Sequence, residues 1–281
     1  MTPTIAVIAP GAMGSAVARR LAEHGVRVLT SLAGRSPATL ERAAAAGMIG
    51  VDDRQIAAAD VILSILPPAE AVAFAQRLAP ALALVAHRPI FVDCNAVDVG
   101  TVQRVAAVLG TGPARFVDGA IIGAPPEPGK AGPALYLAGE PAAELLFLQQ
   151  LGIRAQVIEG PVGAASALKM SYAGITKGLT ALAAAMVLAA SRAGAAPALR
   201  AELAASQPQL LKRFGTTLPD MVPKAYRWAA EMREIAAFVQ EDRAAARIYE
   251  AAGDFYERIA ADLGEGRQEI ALLDAFLNLP D

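Results

Sequence analysis

Ile5-Ala6-Val7-Ile8-Ala9-Pro10-Gly11-Ala12-Met13-Gly14-Ser15-Ala16-Val17 is the stretch from which the rest of the chain is read. Its first four residues are apolar and half of them β-branched, the pattern of a buried parallel strand. A turn of small residues follows. From Ala12 to His24 the spacing is helical, with Val17, Leu21 and small residues on one face. Strand, small-residue turn and helix start together make the geometry that receives a dinucleotide pyrophosphate, because the first helix amides are free and the helix dipole is positive there. Pro10, Gly11, Ala12, Met13 and Gly14 are therefore the candidate pyrophosphate contacts. Gly11 lets the backbone come close to the phosphates, and Gly14 lets the helix pack closely on the strand. The first glycine usual in such a turn is Ala9 here.

Composition narrows the classes. The chain has 281 residues, 55% hydrophobic and 19% charged, enough for a large core and about one or two domains. A net charge of -2 gives no electrostatic footprint for nucleic acid. One cysteine, Cys94, rules out an internal disulfide framework and suits a reducing cytoplasm. The two histidines, His24 and His87, cannot make a His-rich metal site, so no metal is expected. The apolar run Ala181 to Ala190 lies between Lys177 and Arg192, short of the ~20 residues a bilayer needs. It reads as a buried core helix and no membrane partner is expected.

The first half alternates strand and helix. Strands are expected at Val26 to Thr30, Val61 to Leu66, Ile90 to Asp93, Phe116 to Ile122, Ala134 to Ala138 and Ala155 to Ile158. Helices are expected at Pro37 to Ala46 with Ser36 as N-cap, and at Ala69 to Leu84, Val99 to Leu109 and Pro141 to Leu151. Repeated βα units imply a doubly wound, mainly parallel sheet covered on both faces. After Gly160-Pro161 no strand signal survives. One long helix from Gly163 to about Ala193, shorter ones around Glu202, Gln209 and Met221, a helix from Ala229 to Leu263 and a last one from Gln268 to Leu277 make an all-α second half. The expected division is 1–159 and 160–281.

Ligands of such sheets sit beyond the carboxyl ends of the strands. Thr30-Ser31-Leu32-Ala33-Gly34-Arg35-Ser36 ends the second strand without the carboxylate that usually holds the ribose of NAD. Arg35 can face a 2′-phosphate, with Ser36 offering a hydroxyl, which favours NADP over NAD; the alternative is that Arg35 is a solvated loop cation. Leu66 and Pro67, where another strand stops, are further cofactor-contact candidates. Asn95 follows Asp93-Cys94 at a strand end, positioned either for the nicotinamide ribose and substrate or for a structural turn. Cys94 reads as a small apolar filler.

Lys169 sits in an apolar helix about two turns from its start, with Tyr172, Ala173 and Thr176 on the same side. A lysine there either snorkels outward or faces a cleft. In a low-dielectric cleft its pKa falls and it becomes an acid or base usable near neutral pH. Tyr172 either donates to a carbonyl oxygen or is a core aromatic. Lys177 lies off this face, solvated or at the rim. The glycine-bearing loop at Ile122, Gly123 and Ala124 lets a substrate approach the backbone.

These motifs, in this order, resemble the β-hydroxyacid dehydrogenase superfamily, which includes 6-phosphogluconate and 3-hydroxyisobutyrate dehydrogenases. The resemblance spans essentially the whole chain: the Gly-rich turn, Asp93-Cys94-Asn95-Ala96-Val97, the Asp118 to Ala124 loop and the Gly163 to Lys169 helix, which runs on as Met170-Ser171-Tyr172-Ala173-Gly174. It looks closest to a bacterial branch known only as phosphogluconate-dehydrogenase-like. The resemblance implies a Rossmann domain followed by a helical domain that supports dimerisation, hydride transfer at C4 of a nicotinamide, and Lys169 as acid/base for the substrate hydroxyl. It also implies substrate contacts at Asn95, Ile122, Gly123, Ala124, Lys169, Tyr172 and Ala173. Three positions depart from the family: Ala9 replaces its first glycine, Ile122 a substrate-binding serine, and Ala173 an asparagine. The last two remove polar contacts and put the substrate in doubt more than the hydride chemistry.

The expected activity is an NADP-dependent dehydrogenase or reductase acting between a secondary alcohol and its carbonyl, on a small molecule of the 3-hydroxyacid type. An imine reductase-like enzyme and a catalytically silent NADPH-binding sensor are the alternatives. The apolar long helix is expected to be buried either against a second copy of the chain, giving a homodimer, or within its own helical core. The stretch Tyr226 to Phe238, with Trp228 and Met232, either lines the cleft or packs that interface.

Overall fold

Ile5, Ala6, Val7 and Ile8 are 0–1% exposed, and their alternation carries them into two different cores on opposite faces of one sheet. Burying each large aliphatic side chain contributes about 1.5–3 kcal/mol, which suits this strand to the interior of the sheet. The computed structural model describes residues 3–127 and 129–279. The chain divides into two compact units, Met1–Lys169 and Met170–Asp281.

The first unit is built from β1 (Thr4–Ile8), α1 (Ala12–Glu23), β2 (Arg27–Thr30), α2 (Pro37–Ala45), β3 (Met48–Gly50), α3 (Asp53–Ala57), β4 (Val61–Ser64), α4 (Ala71–Leu82), β5 (Ile90–Asp93), α5 (Val99–Leu109), β6 (Arg115–Ile122), β7 (Ala134–Ala138) and β8 (Arg154–Val157). The eight strands form one sheet in the order β3-β2-β1-β4-β5-β6-β7-β8. All neighbours are parallel except β6 and β7. One face is covered by α1 and α2 together with the segment Glu140–Leu151, and the other by α3, α4 and α5.

β3 and α3 went unread in the sequence. β3 is three residues long, too short for a periodic signal, and α3 is a five-residue turn held by an Asp52–Gln55 capping box. The helix expected from Pro141 to Leu151 is a 3₁₀ segment, Glu140–Leu151, closed by Gly152 at φ 75°. Ser36 stands at the N-cap of α2 with extended backbone, but its hydroxyl bonds Thr39 Oγ1 at 3.0 Å and not a helix amide.

α6 (Ala164–Arg192) begins in the first unit and continues into the second. The second unit holds the rest of it, with α7 (Ala196–Ser206), α8 (Pro208–Met221), α9 (Ala225–Phe238), α10 (Arg243–Glu265) and α11 (Gln268–Leu277). The helix expected from Ala229 to Leu263 is two helices. α10 starts afresh where the Asp242 carboxylate accepts from the amides of Ala244 and Ala245. By length and hydropathy alone α6 could cross a membrane, being 29 residues long, so the apolar run is part of a longer helix than its flanking charges suggested. Met170, Ala184, Val187 and Leu188 bury one side of it against Leu218, Met221, Met232 and Tyr256. Lys177, with its side chain 21% exposed, ion-pairs with Glu231 and lies 5.2 Å from the Trp228 ring centre. Within Tyr226 to Phe238, Met232 is core and Trp228 packs edge-on to Tyr256, while Tyr226 is exposed.

Candidate active site

Two constructions meet the carboxyl ends of the parallel strands. The first is the turn between β1 and α1. No side chain caps α1, whose N-cap is Gly11 in extended conformation. A Cβ placed on Gly11 meets no atom within 4 Å, so open space lies over the turn. A Cβ on Gly14 would sit 2.0 Å from the Ala9 carbonyl oxygen, so only glycine allows this helix to lie so close to the strand end. Pro10 is buried, and its carbonyl accepts from Arg42 Nη1 at 3.0 Å, a tie from α2 that holds the turn. Ala12 is exposed and Met13 half-buried. Free amides, open space and a close-packed glycine fit a dinucleotide pyrophosphate.

The second construction is a row of residues in register across three parallel strands: Ser64 of β4, Asp93 of β5 and Asp118 of β6. All three are 0–1% exposed. Asp118 is the anchor of α6. Its Oδ2 accepts from the amides of Gly163 and Ser166 at 2.9 and 3.0 Å, and its Oδ1 from Ser166 Oγ at 2.7 Å. A strand carboxylate thus caps the first turn of the helix that carries Lys169. That anchoring explains why the first turn and a half of α6 belong with the sheet unit, beyond the change of character at Gly160.

Lys169 is half-buried, and its amine interacts electrostatically with Cys94, Asp93 and Asp118. Burial lowers its pKa from the ordinary lysine range, against the opposing pull of those three neighbours. Burial pushes the Asp93 carboxyl up to about 6, and the amide of Asn95 holds back part of that rise. One Asp93 oxygen accepts from Asn95 N at 2.9 Å, while the other is buried without a hydrogen-bond partner. Asp118 is raised by burial too, held back by its bonds from Ser166 and Gly163. The Cys94 thiol is pushed far up by burial and packs in the core on the opposite face, as a filler should.

Other expected site residues have different surroundings. Asn95 is 2% exposed, with its amide oxygen accepting from Leu66 N and its amide nitrogen donating to Ser64 Oγ. Its side chain ties the β4 and β5 ends together, the structural turn role among its two expected uses. Leu66 points into the core and Pro67 is exposed. Arg35 lies 3.5 Å from a Glu70 carboxylate oxygen, so it is not a lone solvated cation. Ile122 is half-buried, while Gly123, at φ 130°, and Ala124 are exposed with their backbone. Tyr172 is 53% exposed, and so is not a core aromatic. Ala173 packs against the helical core.

Sequence reasoning missed Asp93, Asp118, Ser166 and Glu70. A carboxylate inside each of two apolar strands was the available signal for the first two, since a buried charge needs a partner. Among the described residues no three His, Cys, Asp or Glu side chains gather as a metal site.

Residues 4–151 match the family model of the NAD binding domain of 6-phosphogluconate dehydrogenase, and residues 190–259 match a domain of unknown function. The chain belongs to the β-hydroxyacid dehydrogenase superfamily. A conserved hypothetical protein from Sinorhizobium meliloti 1021 is similar over 98% of this chain and 97% of its own, at 26% identity and a TM-score of 0.78. A 3-hydroxyisobutyrate dehydrogenase from Mycobacterium tuberculosis, solved with L-serine, shares the fold at 19% identity and TM-score 0.72, over 98% of this chain and 99% of that one. An imine reductase variant from Myxococcus stipitatus, in complex with NAD+, shares it at 20% identity and TM-score 0.63, over 99% and 100%. No curated relative matches the chain.

Proposed function

We propose that this protein is an NADP(H)-dependent oxidoreductase that interconverts a secondary alcohol and its carbonyl on a small 3-hydroxyacid-type substrate, with Lys169 as the acid/base. The observation that carries the reading is the Asp118 cap that fastens the start of the helix bearing Lys169 to β6; burial that lowers the pKa of that amine supports it. The uncapped start of α1 would hold the pyrophosphate, and Arg35 with Ser36 the 2′-phosphate. When bound, the nicotinamide supplies the acceptor or donor of hydride at its C4.

The chain's own part is proton handling. Burial keeps a larger fraction of Lys169 neutral near pH 7, so it can take the hydroxyl proton as the alcohol is oxidised. In the reverse direction the ammonium returns that proton to the carbonyl oxygen. The sign follows: oxidation falls as pH drops through the Lys169 pKa, and reduction falls as pH rises through it. Tyr172 offers a hydroxyl one turn along the same helix, and the exposed backbone at Gly123 and Ala124 offers amides to substrate oxygens. Asn95 supports the site by fixing the Leu66 and Ser64 strand ends. Lys169→Ala should lose about 10²–10⁴-fold in turnover with NADPH affinity unchanged. Full turnover in that variant would falsify the assignment.

A second reading has a specific support. Ile122 and Ala173 are apolar where the family resemblance implies serine and asparagine, and such a site suits an imine. Comparing reduction of cyclic imines with oxidation of hydroxyacids separates the two. NADPH binding with no turnover on either class would favour a silent sensor.

We further propose a homodimer in the cytoplasm. Ile175, Leu182 and Met186 are 59–68% exposed at helical spacing along α6, an apolar stripe suited to a second copy. A monomeric mass by light scattering at micromolar concentration would remove this proposal.

A further inference from the structure

We infer that Glu70, outside the turn after β2, sets how strongly the site discriminates between the 2′-phosphorylated and the unphosphorylated dinucleotide, through its ion pair with Arg35. The inference rests on the nucleotide-binding reading above.

The pair has a particular place in the sheet. β2 and β4 flank β1, the strand that leads into the uncapped helix start. Arg35 follows β2 and Glu70 follows β4, so their contact at 3.5 Å joins the two connections on either side of the pyrophosphate turn. Both side chains are open to water, Arg35 at 32% and Glu70 at 47%. The other cations nearby are engaged differently. Arg42 donates to the Pro10 carbonyl, and Arg77 pairs with Asp53 at 3.2 Å. Both ion pairs face water, but Arg35 is the cation that follows β2, where the 2′-position of the ribose is expected.

That carboxylate acts in opposite directions on the two forms of the cofactor. A 2′-phosphate would take the Arg35 fork in a charge-assisted contact stronger than an exposed ion pair. It would do so beside a carboxylate that both competes for the guanidinium and repels the phosphate charge. A 2′-hydroxyl has no such conflict, because a carboxylate accepts from it. An acidic residue at the end of the second strand usually does that work. The β2 turn has none, and Glu70 brings one in from the neighbouring connection. The pair therefore offers a cation to one form and an acceptor to the other.

The test is direct binding, read by intrinsic fluorescence or calorimetry without turnover. Glu70→Gln should tighten NADPH about fivefold, the equivalent of one exposed ion pair, and weaken NADH. The change in the NADPH:NADH ratio should shrink as salt is raised, because the charges are exposed. Glu70→Asp should keep the wild-type order of preference. Glu70 is exposed, so these variants should melt with the parent. A Glu70→Gln ratio within twofold of wild type overturns the inference and leaves the nucleotide reading standing. A wild-type protein that binds neither nucleotide overturns both.

Discussion

Two helix starts in the first unit face the same end of the sheet and are finished in opposite ways. α1 begins at Gly11 with no side chain over its amides and open space above. α6 begins under the buried carboxylate of Asp118, which takes two of its amides and the Ser166 hydroxyl. Both starts leave orphan donors and a positive dipole end that want an anion. One start leaves that need for a ligand to meet. The other meets it from within the fold and so becomes rigid, which fixes the start of the helix that bears Lys169. An open helix start marks a binding site; a closed one marks a part that must not move.

The comparison can be broken at either end. The largest effect is expected from Asp118→Ala, which strips three bonds from a buried position. It should cost about 3–5 kcal/mol in urea unfolding and lower turnover, since α6 loses its anchor. Unchanged stability would mean that the α6 start is not held by this carboxylate. Gly14→Ala tests the open end. With its Cβ 2.0 Å from a carbonyl oxygen, it should cost about 1–3 kcal/mol or more and abolish tight NADPH binding, where Gly11→Ala, with free space around it, should spare the fold.

The row beneath α6 makes a pH prediction. The folded state holds the Asp93 proton with a pKa of about 6, above the ordinary carboxyl value. Between about pH 4 and 6 the folded state therefore binds more protons than the unfolded one, and stability falls as pH rises through that window. Asp93→Asn should remove a fall of about 2–3 kcal/mol from the melting profile. A variant with the parent's profile would show that Asp93 is not the group responsible. The smallest effect is expected from Ser166→Ala, about 1–2 kcal/mol, because Asp118 still accepts from the amides of Gly163 and residue 166 and so still caps the helix start.

Legibility tracks sequence distance. The turn at Gly11 and Gly14 could be read because strand, turn and helix lie within one short stretch. The alternation of strand and helix could be read because burial on two faces demands continuous apolar strands. The Asp118 cap could not, since its partners lie 45 and 48 residues away. Nor could the Arg35–Glu70 contact, which depends on β2 and β4 both neighbouring β1. Asn95 left two readings open, because Asn at a strand end has several uses, and its bonds to Leu66 and Ser64 depend on β4 and β5 being neighbours. The break before α10 carries no Gly or Pro, so nothing local but Asp242 announced it.

What the sequence alone determined, then, is local: the buried β1 strand, the glycine-bearing turn, the doubly wound half, the helical half and a lysine in an apolar helix. Period and turn chemistry act over a few residues and leave their mark in composition. What the tertiary structure decided is which side chains meet: Asp93 with Asp118, Asp118 with the α6 start, Arg35 with Glu70. Those meetings follow from strand order and register, and the charge, burial and pKa of each group depend on neighbours that only the folded sheet brings together.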